Sequence, residues 1–243
     1  MRVSLSERGI RAIVLDIEGT TTPLSFVYDV LFPYVRAHLA EHLNTNGRAG
    51  ATADALAALR EEWQRDRLSN LAMPEWTSDG PASARPYVEW LMDRDRKSFG
   101  LKLLQGEIWR IGYEEGRLRG EVFPDVAPAL ERWTTAGVLV AIYSSGSILA
   151  QQLLFGHTAA GDLRRFLSQY FDTRTGPKTE ADSYRAIARA LTVGEGEVLF
   201  ASDARRELEA AAAAGCQAVQ CDRPGNRSPI DWDPAIKTFD ELR

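Results

Sequence analysis

Short apolar runs alternate with segments of helical periodicity along most of this chain. The run Ala12–Leu15 is apolar at every position, which predicts a strand buried on both faces of a sheet. Later apolar runs predict further strands at Val138–Tyr143, Gln169–Phe171, Val198–Phe200 and Ala218–Cys221. The segments between them predict helices at Asp125–Thr135, Ile148–Phe155, Glu180–Leu191 and Glu207–Ala214. Strands that alternate with helices indicate an α/β fold with a doubly wound parallel sheet and right-handed crossovers.

The segment between the first two strands has a different pattern, because no strand is evident from Pro23 to Gly120. Helices are predicted there at Ser25–Leu43, Ala51–Leu71, Val88–Arg96 and Leu101–Arg117. Pro33 is expected to break or kink the first helix, and the prolines and glycine of Met73–Pro86 predict a loop. A helical block of roughly a hundred residues is long enough for a domain of its own. We therefore predict a catalytic core of residues 1–22 and 121–243, with an all-helical cap domain, residues 23–120, inserted after the first strand.

Composition and charge limit the classes of function. The 243 residues are 44% hydrophobic and 26% charged, as in an ordinary soluble protein. The formal net charge of −5 gives no sign of a basic face for nucleic acid, and the longest apolar runs are too short to span a bilayer. The N-terminal residues lack the apolar core of a signal peptide. We therefore expect a cytoplasmic protein that binds neither nucleic acid nor membrane.

The cysteines and histidines offer little chemistry. Cys216 and Cys221 are not spaced as C-x-x-C and are interpreted as reduced thiols in or near the core. His38 and His42 are four residues apart, a metal-ligand spacing, but the glutamate of the H-E-x-x-H motif is missing. Both histidines are therefore interpreted as ordinary helix-surface residues.

Asp16 and Glu18 follow the first strand at alternate positions. Residues i and i+2 of a strand share a face, so both carboxylates can point into one small volume. Two anions held that close repel each other, and a divalent cation relieves the repulsion. Gly19 lets the chain turn, and the three threonines that follow supply hydroxyl and backbone donors. The alternative is a strand that merely ends in acidic residues, but ligand sites in open α/β sheets lie at carboxyl ends of strands.

Polar residues also follow three later strands. Ser144–Ser147 open a helix where backbone N–H groups and hydroxyls can seat a phosphate, although S-S-G-S is also a common turn. Lys178 follows the third strand in a Gly-Pro loop and is, taken alone, typical of a solvated surface charge. Asp203 follows the fourth strand, where it could equally be a helix N-cap, and Glu207 lies one helical turn further on.

Together these groups have the chemistry of phosphoryl transfer. A carboxylate that attacks a phosphate approaches an anion, so the site must first neutralise negative charge. One Mg²⁺ held by Asp16, Asp203 and a nearby oxygen would supply part of the positive charge. Lys178 and the donors of Ser144 and Ser145 would supply the rest.

The order of these motifs resembles that of a known superfamily. D-x-E-G-T, then S-S, then K, then S-D-x-x-x-E is similar to the four motifs of the haloacid dehalogenase superfamily of phosphatases, although most members have an aspartate in place of Glu18. The strings LDIEGTTTPLSFVYDVLFPY, LKLLQGEIW, GYEEG and RPGN resemble one family in particular, the enolase-phosphatase of methionine salvage, also called acireductone synthase. The resemblance covers nearly the whole chain and is least distinctive at residues 47–76.

The resemblance implies a role for each motif residue. Asp16 would be the nucleophile that forms an aspartyl-phosphate and also a ligand of Mg²⁺. Glu18 would bind in the metal region and carry out acid–base chemistry. Asp203 would complete a site for one Mg²⁺ per subunit, with Glu207 as a neighbouring candidate. The residues implied in phosphate binding are Ser144, Ser145 and Lys178, the last of which would also neutralise the nucleophile.

The enzyme implied by the resemblance is a Mg²⁺-dependent phosphatase and enolase. Its substrate, 2,3-diketo-5-methylthiopentyl-1-phosphate, would be enolised and then dephosphorylated to the acireductone 1,2-dihydroxy-3-keto-5-methylthiopentene. The helical insertion would act as a cap over the strand ends and exclude water. No feature of the sequence demands an oligomer, so we expect a monomer.

Two alternative functions stay open at this point. One is a capped phosphatase of the same superfamily that acts on another small phosphate ester. The other is a non-catalytic signalling module, because receiver domains also hold an acyl phosphate with acidic residues, a hydroxyl and a lysine. Such modules are much shorter than this chain and have no long helical insertion after the first strand.

Overall fold

One parallel sheet of six strands lies in the part of the chain that the structure, a computed structural model, describes: residues 3–69, 72–96, 98–226 and 231–243. The strands are β1 (Ala12–Leu15), β2 (Leu139–Tyr143), β3 (Gln169–Phe171), β4 (Val198–Ser202), β5 (Gln217–Cys221) and β6 (Ala235–Ile236). Their order is β3-β2-β1-β4-β5-β6, and every neighbouring pair is parallel. β1 is an inner strand with all of its residues buried, as its unbroken apolar run predicts. The predicted α/β fold is confirmed.

Helices connect these strands. They are α1 (Phe32–Asn46), α2 (Gly50–Leu68), α3 (Arg85–Asp93), α4 (Phe99–Glu114), α5 (Val126–Thr135), α6 (Ile148–Gly156), α7 (Ala181–Leu191) and α8 (Arg205–Ala213). The helices α1–α4 all lie between β1 and β2, and the described residues between Pro23 and Gly120 contribute no strand to the sheet. The insertion after the first strand is therefore helical, as predicted.

The chain divides into two compact units. One contains the residues up to Val27 together with Arg119–Arg243, and the other contains Tyr28–Leu118. The sheet and α5–α8 belong to the first unit, which we call the core unit, and α1–α4 belong to the second, which we call the helical unit. The domain boundaries after residues 22 and 120 stay a prediction.

The first helical segment is divided near Pro33, as predicted. Phe26–Leu31 forms a π-helical turn, and α1 begins directly after it at Phe32. Pro33 lies in the first turn of α1, so the two helical pieces meet next to the proline, which cannot donate a backbone hydrogen bond to the preceding turn. The predicted end of α2 at Leu71 lies outside the described residues.

A 3₁₀ turn before α3 and a sixth strand are among the short elements that were not expected from the sequence. The predicted loop Met73–Pro86 contains a 3₁₀ turn at Pro81–Ala84, and α3 begins at Arg85. The strand β6 has only two residues, Ala235 and Ile236, so no alternation or apolar run of useful length marks it. Its place in the sheet comes from its pairing with β5.

His42 is buried, and its assignment to the helix surface is wrong. Its side chain lies where α1 packs on α2, with Nε2 2.9 Å from the Thr52 hydroxyl oxygen. Burial lowers the pKa of His42, because the charged imidazolium loses solvation there. His38 is half-buried, with Nδ1 2.8 Å from the carbonyl oxygen of Tyr34.

The cysteines are buried free thiols, as predicted. Burial raises the pKa of Cys216 to about 11 and that of Cys221 to about 12, so neither is a reactive thiolate at neutral pH. As for membranes, none of the helices within the described residues is both long enough and apolar enough to cross a bilayer.

Candidate active site

The central strand and its two neighbours end at the same edge of the sheet. Leu15, the last residue of β1, pairs with Ile142 of β2 and with Ala201 of β4. Asp16 is the next residue, so its carboxylate emerges where β2 and β4 also end. Ligand sites of open parallel sheets lie at this carboxyl edge.

The segment Asp16–Thr22, which we call the acid loop, is folded on itself. The N–H groups of its three threonines all donate to the carbonyl oxygen of Ile17, at 3.2, 3.0 and 2.9 Å. Gly19 has a φ of +71°, a left-handed conformation that glycine adopts without steric cost. The local sequence therefore folds this loop into a tight turn that presents Asp16 and Glu18 from a rigid backbone.

Donors from distant parts of the chain hold the acid loop from outside. The carbonyl oxygen of Gly19 accepts a hydrogen bond from Asn226 Nδ2 (3.0 Å). The carbonyl oxygen of Thr20 accepts from Arg223 Nε (3.0 Å), and that of Thr21 accepts from the Phe123 N–H (2.9 Å). Arg223 is itself buried and forms an ion pair with Asp125 at 2.8 Å. The string RPGN indicated only a family resemblance, and no role for Arg223 or Asn226 was predicted from it.

Lys178 is the buried cation of the site. Its Nζ lies 2.5 Å from Asp16 Oδ1 and 2.6 Å from Glu207 Oε2, and its side chain is only 9% exposed. Burial alone would lower the pKa of Lys178, but the two carboxylates outweigh it and raise that pKa. The interpretation of this lysine as a solvated surface charge is therefore excluded.

Glu207 completes a small polar network around Lys178. The Ser202 hydroxyl donates to Glu207 Oε2 at 2.9 Å and lies 3.5 Å from Asp16 Oδ2. Burial, together with the negative charge of Asp16, raises the pKa of Glu207. The sequence indicated Glu207 as a neighbouring candidate, because it lies one helical turn after Asp203. Ser202 was missed, although its place at the end of β4 was a usable signal.

Asp203 lies against the acid loop. A Cβ atom on Gly19 would be 2.5 Å from Asp203 Oδ2, so a larger residue here would force this carboxylate to move. Burial, together with the negative charges of Asp16 and Glu18, raises the pKa of Asp203 to about 6. The site thus has an excess of carboxylates over the one ammonium group of Lys178.

These residues fit a Mg²⁺ ion. Within the described residues, no three His, Cys, Asp or Glu side chains already form a metal cluster. Mg²⁺ does not need one, because it is usually bound through one or two carboxylates together with waters and substrate phosphate. Asn226 Oδ1 is buried, has no hydrogen-bond partner among the described residues, and lies 2.7 Å from the same Cβ position on Gly19. The two polar atoms nearest this position, Asp203 Oδ2 and Asn226 Oδ1, are both hard oxygens, the type that Mg²⁺ prefers.

The serine loop, Ser144–Ser147, lies at the end of β2, beside the acid loop. The N–H of Ser144 donates to the carbonyl oxygen of Phe171, and its hydroxyl oxygen accepts from the N–H of Gly146, both at 3.1 Å. The Ser147 hydroxyl caps α6. Gln151 Nε2 donates to the carbonyls of Gly146 and Phe171, which fixes the loop at the N-terminus of α6. Helix N-termini of this kind bind anions.

The structure brings Asp16 and Lys178 into direct contact and places Asp203 against the loop that carries Glu18. Ser144 and Ser145 lie at the end of the neighbouring strand. The residues named from their order in the sequence therefore share one edge of the sheet. Their catalytic and metal-binding roles stay predictions.

The fold, with this arrangement at its carboxyl edge, defines the protein as a haloacid dehalogenase-like hydrolase, and the model of that family matches residues 10–215. Enolase-phosphatase E1 of Synechococcus elongatus is 52% identical over 235 residues, which cover 96% of this chain and 98% of that protein. Enolase-phosphatase E1 of Sorangium cellulosum is 46% identical over 234 residues, 96% of this chain and 97% of that protein. The chain belongs to the enolase-phosphatase family.

One solved structure has a similar fold. The crystal structure of the UTR4 protein of Saccharomyces cerevisiae is similar, with a TM-score of 0.78 at 33% identity. The match covers 95% of this chain and 99% of that one, so the likeness extends through both units.

Proposed function

We propose that this protein converts 2,3-diketo-5-methylthiopentyl-1-phosphate to the acireductone 1,2-dihydroxy-3-keto-5-methylthiopentene and phosphate, a step of methionine salvage. The observation that carries the proposal is the buried contact between Asp16 and Lys178 at the carboxyl edge of the central strand. It occurs in a chain that is 52% identical to an enolase-phosphatase over nearly its whole length.

In the phosphatase half-reaction, a carboxylate oxygen of Asp16 attacks phosphorus and the bond from phosphorus to the substrate oxygen breaks. The leaving oxygen takes a proton from an acid beside it, the role proposed for Glu18. A water molecule then attacks the aspartyl-phosphate, Glu18 takes its proton, and phosphate leaves with Asp16 restored. Asp16 is buried, so its attacking oxygen is held in place rather than solvated by bulk water.

Positive charge and directed donors would make this attack feasible. The Lys178 ammonium, held 2.5 Å from Asp16, offsets the charge of the nucleophile and of the incoming phosphate. Ser144 and Ser145 would hold the phosphate at the N-terminus of α6. Asp16, Glu18 and Asp203 would bind one Mg²⁺ per subunit. When bound, Mg²⁺ supplies charge stabilisation to phosphoryl oxygens and to an enolate, so one ion suits both half-reactions.

We propose that the protein acts in the cytoplasm and as a monomer. The buried, unpaired thiols Cys216 and Cys221 suit a reducing compartment. The proposed ligand is a small phosphorylated diketone rather than a nucleic acid or a membrane.

The test separates the two half-reactions by NMR of the diketo phosphate in deuterated buffer. Wild-type protein should yield the acireductone and phosphate. Asp16→Asn keeps the shape of the side chain but loses the attacking charge, so phosphate release should fall by several orders of magnitude. If it retains Mg²⁺, this variant should still exchange substrate protons for deuterium, because enolisation needs no attack on phosphorus.

Metal occupancy is measured in the same samples, because Asp16 is a proposed ligand, and an enzyme-free sample gives the background exchange. Phosphate release by the wild type without an enol intermediate or acireductone would contradict the proposed reaction. A parallel panel of small phosphate esters would then identify the substrate of a phosphatase with a different specificity.

A further inference from the structure

Three consecutive carbonyl groups next to Lys178 are each bound by a side-chain hydroxyl. The Tyr143 hydroxyl donates to the carbonyl of Gly176 at 2.9 Å. The Ser183 hydroxyl donates to the carbonyl of Pro177 at 2.8 Å, and the Tyr184 hydroxyl donates to that of Lys178 itself at 2.7 Å. We call Tyr143, Ser183 and Tyr184 the hydroxyl clamp.

The clamp ties residues 176–178, which we call the lysine loop, to two rigid elements. Tyr143 is the last residue of β2, and Ser183 and Tyr184 lie in the first turn of α7. All three side chains are buried. The tyrosine rings pack edge-to-face, 5.6 Å apart, so neither ring can turn its hydroxyl away without disturbing the core.

The loop passes unusually close to the clamp. Gly176 has a φ of +144°, and a Cβ atom on it would lie 2.2 Å from the Ser183 hydroxyl oxygen. The Tyr143 ring also lies near the lysine head, since Lys178 Nζ is 5.8 Å from the centre of that ring. Tyr143 thus contacts both the loop before Lys178 and the Lys178 side chain, and Tyr184 binds the Lys178 carbonyl.

We infer that Tyr143, Ser183 and Tyr184 are positioning residues that fix the backbone of Lys178, so that its ammonium group stays between Asp16 and Glu207. A lysine side chain has four rotatable bonds and loses considerable entropy when its head is pinned. If the backbone of Lys178 is also fixed, its movement does not add to the number of positions that the ammonium group can occupy. Phenylalanine rings at positions 143 and 184 would fill the same space in the core. The tyrosine hydroxyls therefore serve to bind the loop and are not needed for packing.

The test removes hydroxyls without changing shape, in Tyr143→Phe, Tyr184→Phe and Ser183→Ala. Tyr170→Phe is the matched control, because the Tyr170 hydroxyl is buried in the core unit and has no hydrogen-bond partner among the described residues. Ile236→Val, in β6 at the far edge of the sheet, is a second control for a small loss of core stability.

The first readout is the acylation rate of Lys178, followed by peptide mass spectrometry under native conditions. The chain has four lysines, and the exposed Lys237 serves as the internal reference. Acylation of Lys178 should be about tenfold faster in Tyr184→Phe and Tyr143→Phe than in either control, because local opening of the loop becomes easier. Ser183→Ala should have a smaller effect, since the carbonyl of Pro177 also accepts from the N–H of Glu180.

The second readout is kcat/KM for phosphate release, which should fall about tenfold in the tyrosine variants as Lys178 loses its alignment. This readout rests on the function proposed above, whereas the acylation rate does not. If the wild type releases no phosphate, the proposed function fails, but the acylation rates still decide whether the clamp exists. Equal acylation of Lys178 in clamp variants and controls would overturn the inference. Should a tyrosine variant not fold, Ser183→Ala and the other tyrosine variant decide.

Discussion

At the scale of single residues, the main feature is a buried cation outnumbered by carboxylates. Lys178 lies between Asp16 and Glu207, and Asp203 adds a further, half-buried acid. Buried ion pairs contribute little to stability, because desolvation of the charges offsets their attraction. Such clusters with shifted pKa values are typical of functional sites. The excess negative charge is what a metal ion and a controlled approach of phosphate would require.

Asn226 lies outside this cluster and holds the acid loop that carries part of it. Its Nδ2 group donates to the carbonyls of Gly19 and Cys221, both at 3.0 Å. We predict that Asn226→Ala weakens Mg²⁺ binding about tenfold or more, as loss of a partner behind metal ligands commonly does. The measurement is calorimetric titration of Mg²⁺ into the protein without substrate.

The chain offers a matched control for this variant at the opposite end of β5. Gln217 Nε2 also bridges two carbonyls, those of Arg8 (2.9 Å) and Gly196 (3.0 Å). Gln217→Ala should cost comparable stability and leave Mg²⁺ affinity unchanged. Equal Mg²⁺ affinity in the two variants would refute a role for Asn226 in the site.

At the scale of elements, the ends of strands and helices carry the chemistry. The acid loop follows β1, the serine loop joins β2 to α6, and Glu207 lies in the first turn of α8. Each functional group is therefore attached to an element that packs part of its own surface into the core unit. The helical unit has its own internal packing, in which His42 of α1 meets Thr52 of α2.

The packing of α1 on α2 should depend on pH. Burial lowers the pKa of His42 in the folded state below its ordinary value of 6.5. Between the two pKa values the unfolded chain binds a proton that the folded one does not, so stability falls as pH drops through about 6.5. Above about pH 7 this contribution is constant, because His42 is neutral in both states.

The variant that tests this is His42→Gln, which keeps a hydrogen-bonding group near Thr52 but has no charge to gain. Urea unfolding of the helical unit, followed by tryptophan fluorescence at pH 5.5 and 7.5, should show a larger loss of stability on acidification in the wild type than in His42→Gln. An equal loss in both proteins would show that His42 does not titrate on unfolding.

At the scale of the whole molecule, a core unit and a helical unit share one chain. The residues proposed for catalysis and metal binding all belong to the core unit. Binding of Mg²⁺ should therefore stabilise the core unit in particular, because a ligand stabilises the state that binds it.

We predict that Mg²⁺ raises the melting temperature of the core unit and that exhaustive chelation abolishes phosphate release. A hundredfold excess of Mg²⁺ over its Kd should add about 2.7 kcal/mol to the free energy of unfolding. Asp203→Asn should melt higher than the wild type without metal, because it removes one of the repelling charges, and should lose the response to Mg²⁺. Full turnover in excess chelator would contradict the requirement for metal.

Much of this protein could be predicted from its sequence because the information is local. The apolar run Ala12–Leu15 must be buried on both faces, and a parallel sheet is the structure that does so. The acid pair, the serines, the lysine and the last acid each follow a predicted strand in the sequence. Because parallel strands end at the same edge of a sheet, these residues were expected to lie together. The location of Asp16, Ser144, Lys178 and Asp203 thus followed from periodicity, position and family resemblance.

Tertiary structure decided the contacts between residues that are distant in the chain. The position of Glu207 beside Lys178, the hold of Asn226 on Gly19, and the burial of His42 depend on how elements pack. Periodicity reports only which face of an element is apolar, and not which partner covers it. The sequence alone thus determined the fold class and the chemical groups of the site. Packing decided how those groups are held, because hydrogen bonds and desolvation depend on neighbours that only the folded chain brings together.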